Sequence, residues 1–115
     1  MRIHAATMSS RMKRELLRET REGAGAFEFT DYSMRRAMLR GVTLMGMSQA
    51  IREGELVEYH WNPQWGRRVV MRGDEGTCVV VGLDERRIVT AYLNAPEDKH
   101  ATLRTEEYLF GGAIR

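Results

Sequence analysis

The sequence lacks most of the residue patterns that mark a secreted, membrane-bound or zinc-dependent protein. Among 115 residues it has one cysteine, Cys78, which excludes an internal disulfide framework and a cysteine-rich zinc site. No apolar run approaches the roughly 20 residues that a membrane-spanning helix needs. Polar residues (His4, Thr7 and Ser9) interrupt the N-terminal segment, so it does not resemble a signal peptide. We therefore expect a protein of a reducing, cytoplasmic compartment without a membrane segment.

The motifs of several common enzyme classes are also absent. The chain has no glycine-rich phosphate loop, no HExxH zinc motif and no nucleophile elbow. Its three histidines, His4, His60 and His100, are scattered along the sequence. We expect no metal and no cofactor.

Positive charge is concentrated in the first part of the chain. Residues 1–72 carry 13 basic and 8 acidic side chains, a net charge of +5, whereas residues 73–115 carry 5 and 8, a net charge of −3. The basic residues are almost all arginine, which suits two-point contacts with phosphate or carboxylate. The asymmetry favours an anionic partner such as nucleic acid, although a solvated helix surface explains it as well.

Three helices are predicted in the first half of the chain. The first spans residues 8–22 with Ser9 or Ser10 as its cap, the second spans 31–40 after Thr30, and the third follows Thr43 and ends at Gly54. Helical spacing of apolar residues indicates which side chains face inward. They are Met12, Leu16 and Leu17 in the first helix, Met34, Ala37 and Met38 in the second, and Leu44, Met47, Ala50 and Ile51 in the third.

After Gly54 the apolar pattern changes from helical to alternating. Four strands with short connections are predicted at 56–61, 67–72, 77–83 and 88–93, and Val57, Tyr59 and Trp61 are expected to share one face of the first strand. Helices followed by a run of strands are typical of an α+β fold. We therefore predict N-terminal helices packed on a four-stranded antiparallel sheet.

The segment after the last strand holds the residues best suited to proton transfer. Asp98, Lys99, His100 and Thr102 place an acid, a base, an imidazole and a hydroxyl within five residues. Histidine is the side chain whose ordinary pKa suits proton transfer near neutral pH. The alternative is a capped turn before a short helix at 103–108 with a solvated His100, and the residues alone favour that alternative.

Two sequence blocks carry a family resemblance. The first is FTDYSMRRAMLRGVT at 29–43, followed by IREGE at 51–55, and the second is TAYLN at 90–94 with DKHATL at 98–103. In this order and separation they resemble the toxin-type domains of the barnase–EndoU–colicin–RelE superfamily, in the branch found at the C-termini of contact-dependent and polymorphic toxins. The resemblance covers about residues 27–108. It divides the chain into a basic helical arm, 1–26, and a ribonuclease-toxin-like domain, 27–115.

The resemblance implies a metal-independent endoribonuclease that acts on transfer RNA. Attack by a ribose 2′-hydroxyl on the adjacent phosphorus would leave a 2′,3′-cyclic phosphate, and a neutralising partner, an acidic immunity protein or antitoxin, is then expected. His100 would be the general acid or base, and Thr102 would position a phosphate oxygen or the histidine. The other catalytic residues expected are Arg36 and Tyr92, and the expected RNA or phosphate contacts are Arg40, Lys99, Asn94, Arg67 and Arg68.

One position departs from the family pattern. Related domains often have histidine where this chain has Tyr32, just before the arginine pair. If that imidazole matters, the chain is a slower ribonuclease, one that uses a different acid, or a catalytically inactive relative that binds RNA or protein, such as a phage-encoded inhibitor or adaptor. Otherwise Tyr32 is a core residue. Trp61 and Trp65 flank a turn beside Arg67, where they either stack on bases or brace the hairpin.

Overall fold

A computed structural model describes residues 1–94 and 105–113 of the chain. Its elements are β1 (Arg2–His4), α1 (Ser10–Glu22), α2 (Asp31–Leu39), α3 (Leu44–Glu53), β2 (Glu55–Asn62), β3 (Gly66–Arg72), β4 (Thr77–Gly82) and β5 (Arg87–Leu93). Short 3₁₀ turns lie at Ala5–Thr7, Thr105–Glu107 and Gly111–Ala113. Among the described helices, none is both long and apolar enough to span a membrane.

Each of the three helices begins at a side-chain cap that the sequence predicts. Ser9 accepts a hydrogen bond from the Met12 amide, and Thr30 and Thr43 play the same part in α2 and α3. A cap satisfies one of the backbone N–H groups that the first helical turn leaves without a partner. The predicted starts of α2 and α3 are confirmed, and the predicted cap Ser9 is confirmed although α1 begins at Ser10 and not at residue 8.

The sheet has five antiparallel strands in the order β1-β2-β3-β4-β5, so the α+β class is confirmed and the predicted number of strands was too low. The additional strand, β1, pairs with β2 through the register Ile3↔Tyr59. It escaped sequence analysis because a three-residue strand with one buried apolar residue shows no period.

The main core lies between the helices and one face of the sheet. Its strand residues include Tyr59 and Leu56 from β2, and α1 adds Leu16. Residues 1–26, predicted to be a helical arm, thus contribute an edge strand and part of the core, and the boundary at residue 26 stays a prediction.

A β-bulge in β2 changes which residues share a face. The pairing of β2 with β3 shifts between Leu56 and Glu58, so Leu56 and Tyr59 both face the helices. Val57 packs instead with Val70 and Cys78 on the other face. The prediction that Val57, Tyr59 and Trp61 share a face was wrong because the extra residue breaks the alternation.

Two apolar side chains predicted to face inward lie at the surface. Met38 is 67% exposed and Leu44 is 60% exposed. In α2 the buried positions are Ser33 and Ala37, one turn apart, and Met38 lies about 100° further round the helix. The Ser33 hydroxyl donates to the Val89 carbonyl, which lets a polar residue occupy the inner stripe.

Candidate active site

The sheet face opposite the helices, called the polar face here, holds a cavity. Side chains alternate between faces along a strand, so one ladder row on this face runs through His4, Glu58, Val70, Val80 and Thr90. The cavity measures about 240 Å³. It is lined by Arg2, Glu58, His60, Arg68, Val70, Val80 and Tyr92.

A buried carboxylate forms the centre of the cavity wall. Glu58 is only 6% exposed, yet it makes three charge-assisted or hydroxyl contacts. Arg2 donates from Nε to Oε2 at 2.9 Å and from Nη2 to Oε1 at 3.0 Å, and the Tyr108 hydroxyl donates to Oε1 at 3.1 Å. A buried carboxylate is stable only when its oxygens are satisfied in this way. Oε1 accepts two of the three hydrogen bonds and Oε2 accepts one, so Oε2 still has a lone pair for a further donor.

Tyr108 and Arg2 bring the two ends of the described chain to this carboxylate. The Arg2 guanidinium lies 4.6 Å from the centre of the Tyr108 ring and donates to its hydroxyl at 2.9 Å. Burial beside Glu58 raises the pKa of Tyr108, so its hydroxyl remains a proton donor. The His4 ring meets the Tyr108 ring edge-on, with 5.6 Å between centroids.

An imidazole and a second arginine lie on the neighbouring ladder row. His60 pairs with Arg2 on one side and with Arg68 on the other. Arg68 lies 3.9 Å from the centroid of Trp65, and its Nε donates to Glu85 at 2.8 Å. The His60 ring contacts the same Trp65 edge-on at 4.8 Å. Trp65 thus braces both side chains against the cavity.

The local electrostatics keep the imidazole neutral and the phenol protonated at pH 7. Burial lowers the pKa of His60, and the nearby positive charges of Arg2 and the N-terminal amine lower it further. Burial, with a contribution from the adjacent Cys78 thiol, raises the pKa of Tyr92 to about 12. Tyr92 is therefore a hydrogen-bond donor rather than a base in this cavity.

Two of the predicted site residues, Arg68 and Tyr92, line the cavity, whereas Arg67 does not. Arg67 points to the helix side of the sheet. There it donates to both carboxylate oxygens of Glu19 at 2.9 and 2.8 Å and to Asp84 at 2.8 Å. An arginine held by two carboxylates is less available to phosphate than one beside neutral groups.

The α2 arginines lie at the surface rather than in the cavity. Arg36 is exposed and lies 5.9 Å from the centroid of Tyr32. Arg40 reaches the edge of β5, where its Nη1 donates to Thr90 Oγ1 at 2.9 Å and to the Ala91 carbonyl at 3.2 Å. Asn94 follows β5 directly, and its backbone N–H donates to the Gly76 carbonyl at 2.8 Å. His100, Thr102 and Lys99 lie outside the described residues.

Sequence reasoning missed the group formed by Arg2, Glu58, His60 and Tyr108. One signal was available, because Glu58 is the only charged residue in the otherwise apolar stretch 56–59. A charge at a buried strand position needs a partner. The partners could not be found from spacing, since Arg2 and Tyr108 are 106 residues apart.

The cavity supplies the groups that acid–base chemistry on a phosphate needs. Glu58 can accept a proton, His60 can exchange one, and Arg2, Arg68 and the Tyr92 hydroxyl can donate hydrogen bonds to oxyanions. Across residues 1–94 and 105–113, no group of three metal-binding side chains comes together.

Comparison with known proteins finds no match to this chain among protein-family models, curated proteins or solved structures.

Proposed function

We propose that the chain is a metal-independent endoribonuclease of the toxin type and that its active site is the cavity on the polar face. The observation that carries the proposal is a buried carboxylate, Glu58, in one cavity with an imidazole and two guanidinium groups. Transfer RNA is the proposed substrate class because of the family resemblance.

The proposed reaction is an internal transfer at one phosphodiester. Glu58 accepts the proton of a ribose 2′-hydroxyl while that oxygen forms a bond to the adjacent phosphorus. The bond from phosphorus to the 5′-oxygen breaks, and a general acid gives that oxygen a proton. The products are a 2′,3′-cyclic phosphate and a 5′-hydroxyl end. Only RNA has the attacking group, so DNA is not a substrate.

His60 is the proposed acid, two residues from Glu58 on the same strand face. Because the pKa of His60 lies below its ordinary 6.5, cleavage should rise as the pH falls from 8 toward 6. His100 is a second candidate for this step, on the strength of the resemblance. Arg2 and Arg68 would balance the charge that develops on the phosphoryl oxygens.

The test is cleavage of total transfer RNA in EDTA, with product ends analysed for cyclic phosphate. Wild type should give discrete fragments, and Glu58→Gln should lose about 10²-fold or more in rate, the usual contribution of a general base. His60→Gln and His100→Ala, compared over pH 5.5–8.5, show which imidazole supplies the proton, because only that variant loses the acidic rise. Glu107→Gln, which alters the exposed partner of Arg2 at 2.6 Å, is the matched control.

The alternative is a catalytically inactive relative that binds RNA or protein. It is favoured by the mutual pairing of Arg2 with Glu58 and of Arg68 with Glu85, which leaves each charge already compensated. If wild type retards RNA in a gel without cutting it, and Glu58→Gln behaves identically, the binding module replaces the enzyme.

A further inference from the structure

A cluster of exposed apolar side chains lies where α2 meets α3, on the helix side of the molecule. It is called the apolar corner here and consists of Met38, Leu39, Leu44, Met45 and Leu93. Leu39 and Met45 are 84% and 83% exposed. Isolated surface leucines need no explanation, but a contiguous apolar patch marks an interaction site.

The sequence and the turn bring these residues together. Leu39 ends α2 and Leu44 begins α3, with only the turn around Gly41 between them. The Leu93 side chain lies beside that turn, since a methyl group at Gly41 would contact its Cδ1 at 3.5 Å. One partner can therefore cover residues of both helices and the end of β5.

The corner is recessed at two places. Arg35, Met38 and Leu39 line a shallow depression on α2. On its other side, Leu44 forms part of the rim of a cleft of about 130 Å³ between α3 and the segment 24–29. Phe27, Phe29, Met47 and Ile51 line the cleft, and Arg52 lies at its edge. A cavity of roughly 150 Å³ holds a benzene-sized group, so the cleft fits one projecting apolar side chain.

Arginines surround the corner. Arg35, Arg36 and Arg40 lie on or just after α2, with Asp31 as the only acidic residue of that helix. Within the described part of the chain, no carboxylate forms an ion pair with Arg35 or Arg36, and Arg40 donates to a hydroxyl and a carbonyl. A complementary surface is therefore acidic around an apolar centre.

We propose that the apolar corner binds an acidic protein segment that inserts an apolar side chain into the cleft beside Leu44. A second copy of this chain fits less well, because it would place the α2 arginines of each copy against those of the other. A lipid surface has no side chain to project into the cleft, and RNA offers no aliphatic group for it.

The proposal is independent of the proposed enzyme activity, because the corner and the Glu58 cavity lie on opposite sides of the sheet. A partner bound at the corner leaves the cavity open. Cleavage assays and binding assays therefore report on different surfaces and can fail separately.

The probe is a peptide of about 15 residues with leucines at i, i+3, i+4 and i+7, the spacing of one helix face, and glutamates elsewhere. Amide chemical shifts of the full chain are followed during titration, beside a twin peptide in which lysine replaces every glutamate. The acidic peptide should shift the amides of 38–48 and 93, and the lysine twin should bind at least tenfold more weakly.

Two substitutions keep the test decisive. Leu39→Ser and Arg35→Glu alter exposed side chains, so the fold should be retained, and each should weaken the acidic peptide about tenfold. Arg11→Glu, an equally exposed change on α1, is the matched control and should leave binding unchanged. Equal binding of both peptides, or shifts elsewhere, would overturn the proposal. A second set of results would also overturn it: the acidic peptide does not bind, and the chain instead forms concentration-dependent dimers or binds anionic vesicles or RNA in a way that Leu39→Ser abolishes.

Discussion

Arg2 donates hydrogen bonds to both carboxylate oxygens of Glu58, at 2.9 and 3.0 Å, across the pair of strands β1 and β2. The contact ties the short edge strand β1 to β2 and at the same time fixes the orientation of the buried carboxylate. Tyr108 completes it from the other end of the described chain. The Glu58 carboxylate thus has a structural role and a proposed catalytic role.

Arg2→Lys tests the structural part of this contact. Lysine keeps the charge but cannot make the two parallel hydrogen bonds, so the free energy of unfolding should fall by about 1–2 kcal/mol. Urea denaturation followed by circular dichroism measures the change. The same substitution at Arg11, whose contact with Glu15 is largely exposed, should change stability by less than about 0.5 kcal/mol. Equal effects at the two positions would contradict the importance of the two-point contact.

Acidification from pH 7 to pH 5 should destabilise the protein through His4 and His60. Burial lowers the pKa of both imidazoles below 6.5 in the folded state. Between pH 7 and pH 5 the unfolded chain therefore binds more protons than the folded one. The contribution of the two imidazoles to stability is fully present above pH 6.5 and is lost as the pH falls toward their pKa in the folded state. Thermal unfolding at several pH values measures the loss.

His4→Gln and His60→Gln, alone and together, separate the two contributions. Each substitution should flatten the pH dependence between 7 and 5, and the double variant should flatten it most. Three carboxylates also have a lowered pKa: Glu19, Asp84 and Glu85. Their contribution to stability is lost only at lower pH, as the pH falls below about 4.5. A slope unchanged in the double variant would refute the assignment to these imidazoles.

Arg67 and Arg68 are adjacent in sequence and should respond in opposite ways. Arg67→Gln removes the links to Glu19 and Asp84, and it should cost about 1 kcal/mol because solvent screens these partly exposed pairs. That cost should shrink in 1 M salt, while RNA cleavage stays within about twofold of wild type.

Arg68→Gln should instead reduce RNA cleavage by about tenfold or more, since it removes a cation from the cavity wall. Single-turnover rates with excess enzyme distinguish this loss from weaker RNA binding. If Arg67→Gln impairs cleavage as strongly as Arg68→Gln, both arginines contact RNA, as the sequence analysis predicts, and the active site extends to the helix side.

Local sequence signals predict much of the fold. The caps at Ser9, Thr30 and Thr43 mark the helix starts, because a capping hydroxyl acts only on its own first turn. Short turns between apolar runs indicate the four-strand meander. The exposure of Met38 and Leu44 could not be predicted from local signals. Helical spacing identifies an apolar stripe but does not show which side chains at its edges another element covers.

The candidate site was harder to predict than the fold. The alternating pattern indicates a buried strand around Glu58, but the bulge that sets its face depends on pairing with β3. Its partners Arg2 and Tyr108 come from the ends of the described chain, and no local pattern joins them. Arg68 and Tyr92 were named from their neighbours in sequence, and the sheet register is what brings them into one cavity.

The bridge from Arg2 through Glu58 to Tyr108 also has a consequence for synthesis. A ribosome releases residue 2 long before residue 108, and contacts between such distant positions form last. A growing chain would therefore hold Glu58 and Arg2 together without the phenol that donates the third hydrogen bond to Glu58. An RNA-cutting centre arranged like this would have the full set of hydrogen bonds to its carboxylate only after residue 108 has been made and has folded back onto β2.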